Sequence, residues 1–296
     1  MNTRDVEAFL AVVETGSIVA ASARLNLTQP GVTRRVQSLE QTLGAELLDR
    51  QSKPLKPTPA GRQAYEQGRR LIGVIEELRS NVSPQREPAG EFRLGITPYL
   101  SEASLAAPVD TLRQTYPKLQ IRITSDWSLR LIERVTGAEL DAAAIGLPDG
   151  VVPPEPLIAV DIGKQPVLLV AAADLPLDEP TSLKALSRFG WVMNQDGCGF
   201  RAAIKRLFDA ARLPFEVSVE AFNSDLRLSL IARGMGIGVV TSAALEASPL
   251  RDALKIVRAP DFDPQVRGWV VHRPQAGRLG PPVATFAAAL EAQLRS

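Results

Sequence analysis

A single cysteine, Cys198, excludes any disulfide framework within the chain. A single histidine, His272, excludes zinc sites built on paired histidines. No HExxH, CxxC, P-loop or GxSxG pattern is present, so neither a catalytic constellation nor a metal site is expected. No apolar run approaches the roughly 20 residues needed to span a bilayer. The start, MNTRDVEAFL, lacks the basic-then-apolar layout of a secretory signal. These absences lead to the expectation of a soluble, cytoplasmic protein with no membrane partner. The formal net charge is only +1, which excludes a globally basic nucleic-acid binder. A local basic patch remains open, and local fields are what steer a polyanion.

What is present is ordinary in amount and unusual in arrangement. Hydrophobic residues make up 45% and charged residues 23% of the chain, as in globular proteins generally. Its 296 residues exceed one hydrophobic core, so two or three packed units are expected. The first 90 residues read as helical. Val6, Phe9, Leu10 and Val13 fall on one helical face, Asp5 and Glu7 suit the positive end of its dipole, and Gly16 closes it. Ser17 can cap a second helix containing Ile18, Ala21 and Leu25, and its alanines let another helix approach closely. Asn26 and Leu27 make a short turn, Thr28 caps a third helix, and Pro30 sits in the first turn, where a missing N–H costs little.

In that third helix Val32, Val36, Leu39 and Leu43 mark the buried stripe. At 100° per residue, Pro30, Arg34, Gln37 and Gln41 face the other way, flanked by Gln29, Thr33 and Arg35. Arg, Gln and Thr are side chains that read base edges, although a solvated face also favours them. Context favours the reading face. Between residues 24 and 62 there are seven basic residues (Arg24, Arg34, Arg35, Arg50, Lys53, Lys56, Arg62) against three acidic (Glu40, Glu46, Asp49), a local net of +4. Lys and Arg flanking a reading helix would grip phosphates.

The run FLAVVETGSIVAASARLNLTQPGVTRRVQSLEQTLGAELLDR, followed by LKPTPAG, resembles the N-terminal signature of the LysR-type transcriptional regulators. The resemblance implies a winged helix-turn-helix with Gln29, Pro30, Thr33, Arg34 and Gln37 on the recognition helix and Arg50 and Lys53 on the wing. Gly31 departs from the small Ala or Ser usual there, and Leu48 from the usual Phe. The implied partner is double-stranded DNA with an inverted-repeat operator, with RNA polymerase as a further candidate.

A fourth helix starts at Thr58-Pro59. Ala64, Gly68, Leu71, Ile75, Leu78 and Val82 step along it as a heptad seam nearly three repeats long, suited to pairing with a second copy. Packing on the chain's own body is the alternative. SPQREPAG (83–90) then breaks the helix as a linker. From Glu91 onward, FRLGIT, LQIRITS, DAAAIGL, PVLLVAAA, GWVMN, FEVSVEAF, GIGVVT and RGWVVH read as strands alternating with helices, which predicts mostly parallel α/β sheets. Weaker similarity, through YPKLQIRI, GAELDAAAI and ARGMGIGVV, extends the resemblance. It implies an effector domain of two α/β lobes like those of periplasmic solute-binding proteins, with a ligand cleft between them. The expected division is therefore residues 1–58 for DNA, 59–87 for a dimerising linker and 88–296 for the effector. One lobe takes about 91–161 and 268–296, the other about 162–267.

Candidate effector groups lie just after strands: Thr97, Tyr99 and Ser101; Trp127 and Ser128; Asp196 and Arg201; Asn223 and Ser224. Ser128 and Ser224 serve equally as helix caps. Arg201, following the glycines of NQDGCGFR, could clamp a carboxylate, or else pair with Asp196. Hence a small organic acid is expected as effector, an aromatic or hydroxylated carboxylate ahead of a bare dicarboxylate because Trp127, Tyr99 and Phe200 offer apolar area, with no cofactor, and Cys198 reads as inert or ligand-lining. The leading expectation is a ligand-responsive DNA-binding regulator, dimeric or tetrameric. A solute-binding protein acting without DNA and a small cytoplasmic enzyme are the competing classes.

Overall fold

The computed structural model describes residues 2–82, 87–100, 105–178, 180–274 and 276–295. They form two compact units, one mainly residues 1–86 and the other mainly 87–296. In the first unit, α1 (Thr3–Thr15) ends at Gly16, whose φ of 65° is left-handed. The Ser17 hydroxyl caps α2 (Ile18–Leu25) by accepting from Ala20 N–H. Asn26, at φ 52°, closes that helix, and the Thr28 hydroxyl caps α3 (Gln29–Leu43) by accepting from Gly31 N–H. Each cap satisfies backbone groups that a helix end leaves open.

Val6, Phe9, Leu10, Val12, Ala21, Val32, Val36, Leu39 and Leu47 form the core of this unit. Leu43 does not join the α3 stripe as expected and is 47% exposed. The buried face instead turns onto Glu40, and Gly44 ends the helix directly after Leu43. A two-residue antiparallel hairpin follows, β1 (Leu48–Asp49) with β2 (Lys56–Pro57). It leads into α4 (Pro59–Val82), capped by the Thr58 hydroxyl. Gly61 is forced by space: a Cβ there would stand 1.9 Å from the Leu47 carbonyl oxygen.

The seam of α4 divides. Ala64, Tyr65 and Ile72 pack on the core of α1–α3, and a Cβ at Gly68 would meet Val6 at 2.9 Å. Leu71, Val74 and Leu78 remain exposed, while Ile75 is half-buried. The first turns thus pack on the chain's own body, and only the later ones present a free apolar stripe. The side chain of Val82, residues 83–86 of the expected linker and Ser101 lie outside the described residues.

The second unit contains β3 (Gly90–Ile96), α5 (Ala106–Thr115), β4 (Leu119–Ser125), α6 (Ser128–Thr136), β5 (Ala142–Pro148) and β6 (Ile158–Gln165). Then come β7 (Leu168–Ala172), α7 (Leu183–Leu186), β8 (Trp191–Met193), α8 (Gly199–Ala210), β9 (Val217–Glu220) and α9 (Ser224–Ala232). It closes with β10 (Gly238–Val240), α10 (Ser242–Glu246), β11 (Leu254–Ile256), β12 (Val266–His272) and α11 (Gly280–Arg295). One sheet runs β4-β3-β5-β12-β6. In the second lobe β9-β8 and β10-β7-β11 are joined where Trp191 bridges Ile237, giving the analogous order β9-β8-β10-β7-β11.

The sheets are mixed rather than mostly parallel. β3 runs parallel to β4 and β5, but β12 is antiparallel to β5 and β6, and β7 is antiparallel to β10 and β11. β6 was not among the expected strands; Gly163, at φ 92°, and a register shift opposite Gly268/Trp269 interrupt its alternation. β6 also stays in the first sheet as far as Gln165, and β12 joins it from Val266. The crossings between lobes therefore fall after 165 and before 266, not at the expected 161/162 and 267/268, which lie inside paired strands. One crossing is Pro166–Val167. The other lies between Phe262, whose ring packs 5.5 Å from Trp191, and Gln265, whose carbonyl accepts from Asp149 N–H.

Buried aromatics anchor both lobes: Phe92 and Phe286 in the first, Trp191 and Phe208 in the second, the last two edge-to-face at 5.6 Å. Each such ring is worth roughly 2–3 kcal/mol of burial. Ala142, Ala143 and Ala144 are fully buried in β5, so neighbouring helices approach it closely. Arg93 and Asp141 form a two-pronged ion pair between β3 and the start of β5, at 2.6 and 3.1 Å.

Candidate functional site

The first candidate surface lies on α3. Gln29, Pro30, Arg34, Gln37 and Gln41 are exposed, opposite buried Val32, Val36 and Leu39. Thr33 is half-buried, and its hydroxyl donates to the Gln29 carbonyl at 3.0 Å. The ridge is capped and backed by a core, which suits a helix inserted into a groove. The hairpin β1–β2 lies beside it, with Lys53 exposed at its turn. Arg50 lies just after β1 with its side chain 59% exposed, and its guanidinium donates to Glu40 at 2.9 Å. The other Glu40 oxygen accepts from Leu47 N–H at 2.9 Å and Leu48 N–H at 3.4 Å.

A second hub is Glu14 on α1, which receives Arg24, Arg69 and the Tyr65 hydroxyl. It ties α2 and α4 to α1. Burial raises the pKa of Tyr65, so its hydroxyl stays a donor to Glu14. An apolar groove of about 410 Å³ runs along α4, lined by Val6, Leu39, Leu43, Gln63, Ala64 and Leu71 among others.

The second candidate surface is the cleft between the lobes of the larger unit, at the ends of β3, β4, β8 and β9. Thr97 and Tyr99 are buried there, their hydroxyls interact with each other, and among the described residues neither meets a further partner. Tyr99 stacks edge-on against Phe200 at 4.9 Å, and its hydroxyl rests on Gly146, where a Cβ would come within 1.7 Å of the oxygen. Burial drives the Tyr99 pKa far upward, with nearby Cys198 adding to the effect, so the phenol remains a proton donor. Trp127 packs against Gly197 and reaches Gln195 at 3.4 Å.

Several expected ligand groups are already engaged. The Ser128 hydroxyl donates to the Gly146 carbonyl and accepts from Gly146 N–H. Asn223, rather than Ser224, caps α9 by accepting from Leu226 N–H. Arg201 pairs with Asp196 at 3.1 Å and Glu220 at 2.6 Å, and donates to the Asn194 carbonyl. Two carboxylates thus neutralise the arginine expected to hold the effector. The buried guanidinium that lines the cleft is Arg227, on α9, which donates to the Asn194 side-chain oxygen and to the Ser224 hydroxyl. Asn194 in turn donates to the Cys198 sulfur at 3.3 Å. The enclosed space beside Tyr99, Phe200, Asn194, Ser224 and Arg227 is about 10 Å³, the room of one water.

Two family models match the chain. Residues 3–62 match the bacterial regulatory helix-turn-helix protein, lysR family, and residues 85–295 match the LysR substrate binding domain. The chain belongs to the LysR family of DNA-binding transcriptional regulators. The regulator is 26% identical to the uncharacterized HTH-type transcriptional regulator YeiE of Escherichia coli K12, over 92% of this chain and 91% of that protein. It is also 26% identical to the E. coli K12 dual regulator OxyR, over 93% and 90%. Among solved structures, full-length OxyR from Pseudomonas aeruginosa, carrying a cysteine-to-aspartate substitution, gives a TM-score of 0.74 at 17% identity, covering 98% of this chain and 94% of that one. Full-length CbnR in complex with its target DNA gives 0.65 at 20%, covering 99% and 100%. The family is one of transcriptional regulators rather than enzymes, and its second domain binds small-molecule effectors.

Three residues of the regulator's two surfaces escaped the sequence reading. Glu40 sits on the buried face of α3, where an acid is out of place unless paired. Arg227 shares the buried face of α9 with Leu228 and Ile231, and a cation in that position is the signal that could have found it. Asn194 carried no pattern, since only its place after β8 brings it to the cleft. Among the described residues no cluster of His, Cys, Asp or Glu could hold a metal, and no helix is long and apolar enough to cross a membrane.

Proposed function

We propose that this LysR-family regulator binds an inverted-repeat operator as a two-fold dimer, through the ridge Gln29, Pro30, Thr33, Arg34 and Gln37. The carrying observation is that ridge: polar, exposed and backed by the buried Val32, Val36 and Leu39. Lys53, exposed on the wing, supplies a phosphate contact. Pairing runs through the free stripe Leu71, Val74, Ile75 and Leu78 of α4 and the adjoining apolar groove. A two-fold protein requires half-sites related by the same symmetry. The test is a mobility shift on the DNA upstream of the regulator's own gene, with a scrambled duplex of equal length as competitor. Equal affinity for both would remove the operator reading.

The effector we propose is a small organic acid held in the cleft by Arg227, with Thr97 and Tyr99 as hydroxyl donors; because the space beside these residues admits one water as it stands, binding requires the lobes to part there. Arg227 is placed in the role first expected of Arg201 because its guanidinium is buried and lines the cleft. Tyr99 and Phe200 are spent on each other and Trp127 on Gly197, which favours a short-chain acid over an aromatic one. The test is calorimetry of the full chain with acetate, pyruvate and benzoate, against ethylamine and glucose as comparators. Arg227→Lys should weaken a carboxylate about tenfold or more, because a point charge replaces a planar fork. Tightest binding of the amine or the sugar would overturn it.

A further inference from the structure

Arg50 carries one of the charges that make the N-terminal region basic, yet its guanidinium is paired with a carboxylate that has almost no access to water. Glu40 is 9% exposed and lies on the buried side of α3. One of its oxygens takes the backbone N–H groups of Leu47 and Leu48, the first residues of the wing, and the other takes Arg50 at the wing's near end. From the opposite side the same backbone is held by α4: Thr58 N–H donates to the Leu47 carbonyl, the Thr58 hydroxyl to the Glu46 carbonyl, and Gly61 packs flush on that Leu47 oxygen. Residues 46–48 are therefore clamped between the reading helix and α4, and the Glu40 carboxylate is the clamp on the reading-helix side. With these three donors both oxygens of the buried carboxylate are engaged.

We propose that Glu40 is a positioning residue for DNA recognition: its carboxylate fixes the wing in register with the α3 ridge and takes up the charge of Arg50, so that Arg50 orients the wing rather than neutralising a phosphate. This rests on the ridge as the DNA-reading surface. It assigns the phosphate contact of the wing to Lys53, which has no ion pair among the described residues. Glu40→Gln keeps an acceptor for the Leu47 N–H but turns an amide N–H toward the guanidinium, donor against donor.

The experiment measures affinity of the full chain for upstream and scrambled duplexes over a salt series. Each phosphate contact contributes about 0.9 to the slope of log affinity against log salt. Arg50→Ala should leave the parent slope unchanged, while Lys53→Ala should flatten it by about 0.9. Glu40→Gln should lower the preference for upstream over scrambled DNA about tenfold and steepen the slope, because the released Arg50 now reaches a phosphate. Adding Arg50→Ala to Glu40→Gln should restore the parent slope without restoring the preference. A merely structural role would lower both affinities alike and leave slope and preference as they were. If Arg50→Ala flattens the slope by a full contact, or if folded Glu40→Gln keeps the parent slope and preference, the proposal is wrong. Should Glu40→Gln fail to fold, the comparison of Arg50→Ala with Lys53→Ala decides alone. That slope arm works on any duplex, so it stands apart from whether the upstream fragment is the operator.

Discussion

At the level of single residues, the outward-facing side chains were legible, while the buried Glu40 and Arg227 were not. Arg34 is the direct case, because helical period alone places it opposite Val32, Val36 and Leu39. Arg34→Ala should cost about 1–3 kcal/mol of operator binding and relax preference at one position of each half-site, read by competition against single-base variants. Arg201 and Arg227 show where reading by position fails. Both follow apparently similar strand-to-helix junctions, but Arg201 meets two carboxylates that come from different parts of the chain. Only the fold brings Glu220 to it. Tyr99 offers a second test at this scale. Among the described residues its buried hydroxyl interacts only with that of Thr97, so Tyr99→Phe should change stability by no more than about 1 kcal/mol. If that hydroxyl serves the effector, the same variant should bind acetate or pyruvate more weakly. A clear loss of stability without ligand would mean the hydroxyl is already satisfied.

At the level of elements, caps and turns were the most readable features. Gly16, Ser17, Asn26, Thr28 and Thr58 announce the helix ends, and each makes the bond its chemistry suggests. The heptad in α4 was only half readable, because one periodicity serves two partners: Ala64 and Gly68 face α1, while Leu71 and Leu78 face outward. Leu71→Glu with Leu78→Glu should convert a dimer into monomers by light scattering, since pairing would bury like charges together. The same substitutions at Ala64 and Gly68 should instead unfold the N-terminal unit. β6 went unread because a strand that carries Gly163 and a register shift loses the alternation by which strands are recognised. The Arg93–Asp141 pair, joining β3 to β5, is invisible in sequence, its partners being 48 residues apart. Asp141→Ala should cost about 1–3 kcal/mol in urea unfolding, by removing the acceptor of the Arg93 N–H and of both prongs of its guanidinium.

At the level of the whole molecule, charge is arranged in local balances that a net of +1 conceals. On the crossing strands Arg267 bridges Asp149 and Asp161, and Lys164 joins Asp149. Hydrogen bonds from Arg267 and then Lys164 hold the Asp149 carboxyl below its ordinary range. A depressed carboxyl stabilises the fold above its unfolded value and loses that contribution as pH falls through its folded value. Asp149→Asn should therefore lower the melting temperature slightly at pH 7, with the difference fading as pH falls through the depressed folded value and shrinking in high salt. A difference that persisted at acid pH would point to a steric cause.

The two crossings between the lobes are equally short. Pro166–Val167 forms one, and Asp263–Pro264, between the ring of Phe262 and the bonded carbonyl of Gln265, forms the other. Each contains a proline, whose φ is fixed. Two short straps side by side, each with one torsion held by its proline, narrow the ways in which the lobes can move against each other. We propose that occupancy of the cleft is transmitted mainly as a rotation about the line that joins the straps. Two glycines inserted between Pro166 and Val167 would add the missing freedoms. Effector binding should survive in such a variant while its effect on DNA affinity fades, and coupling that persisted at full strength would show that the angle is not the signal.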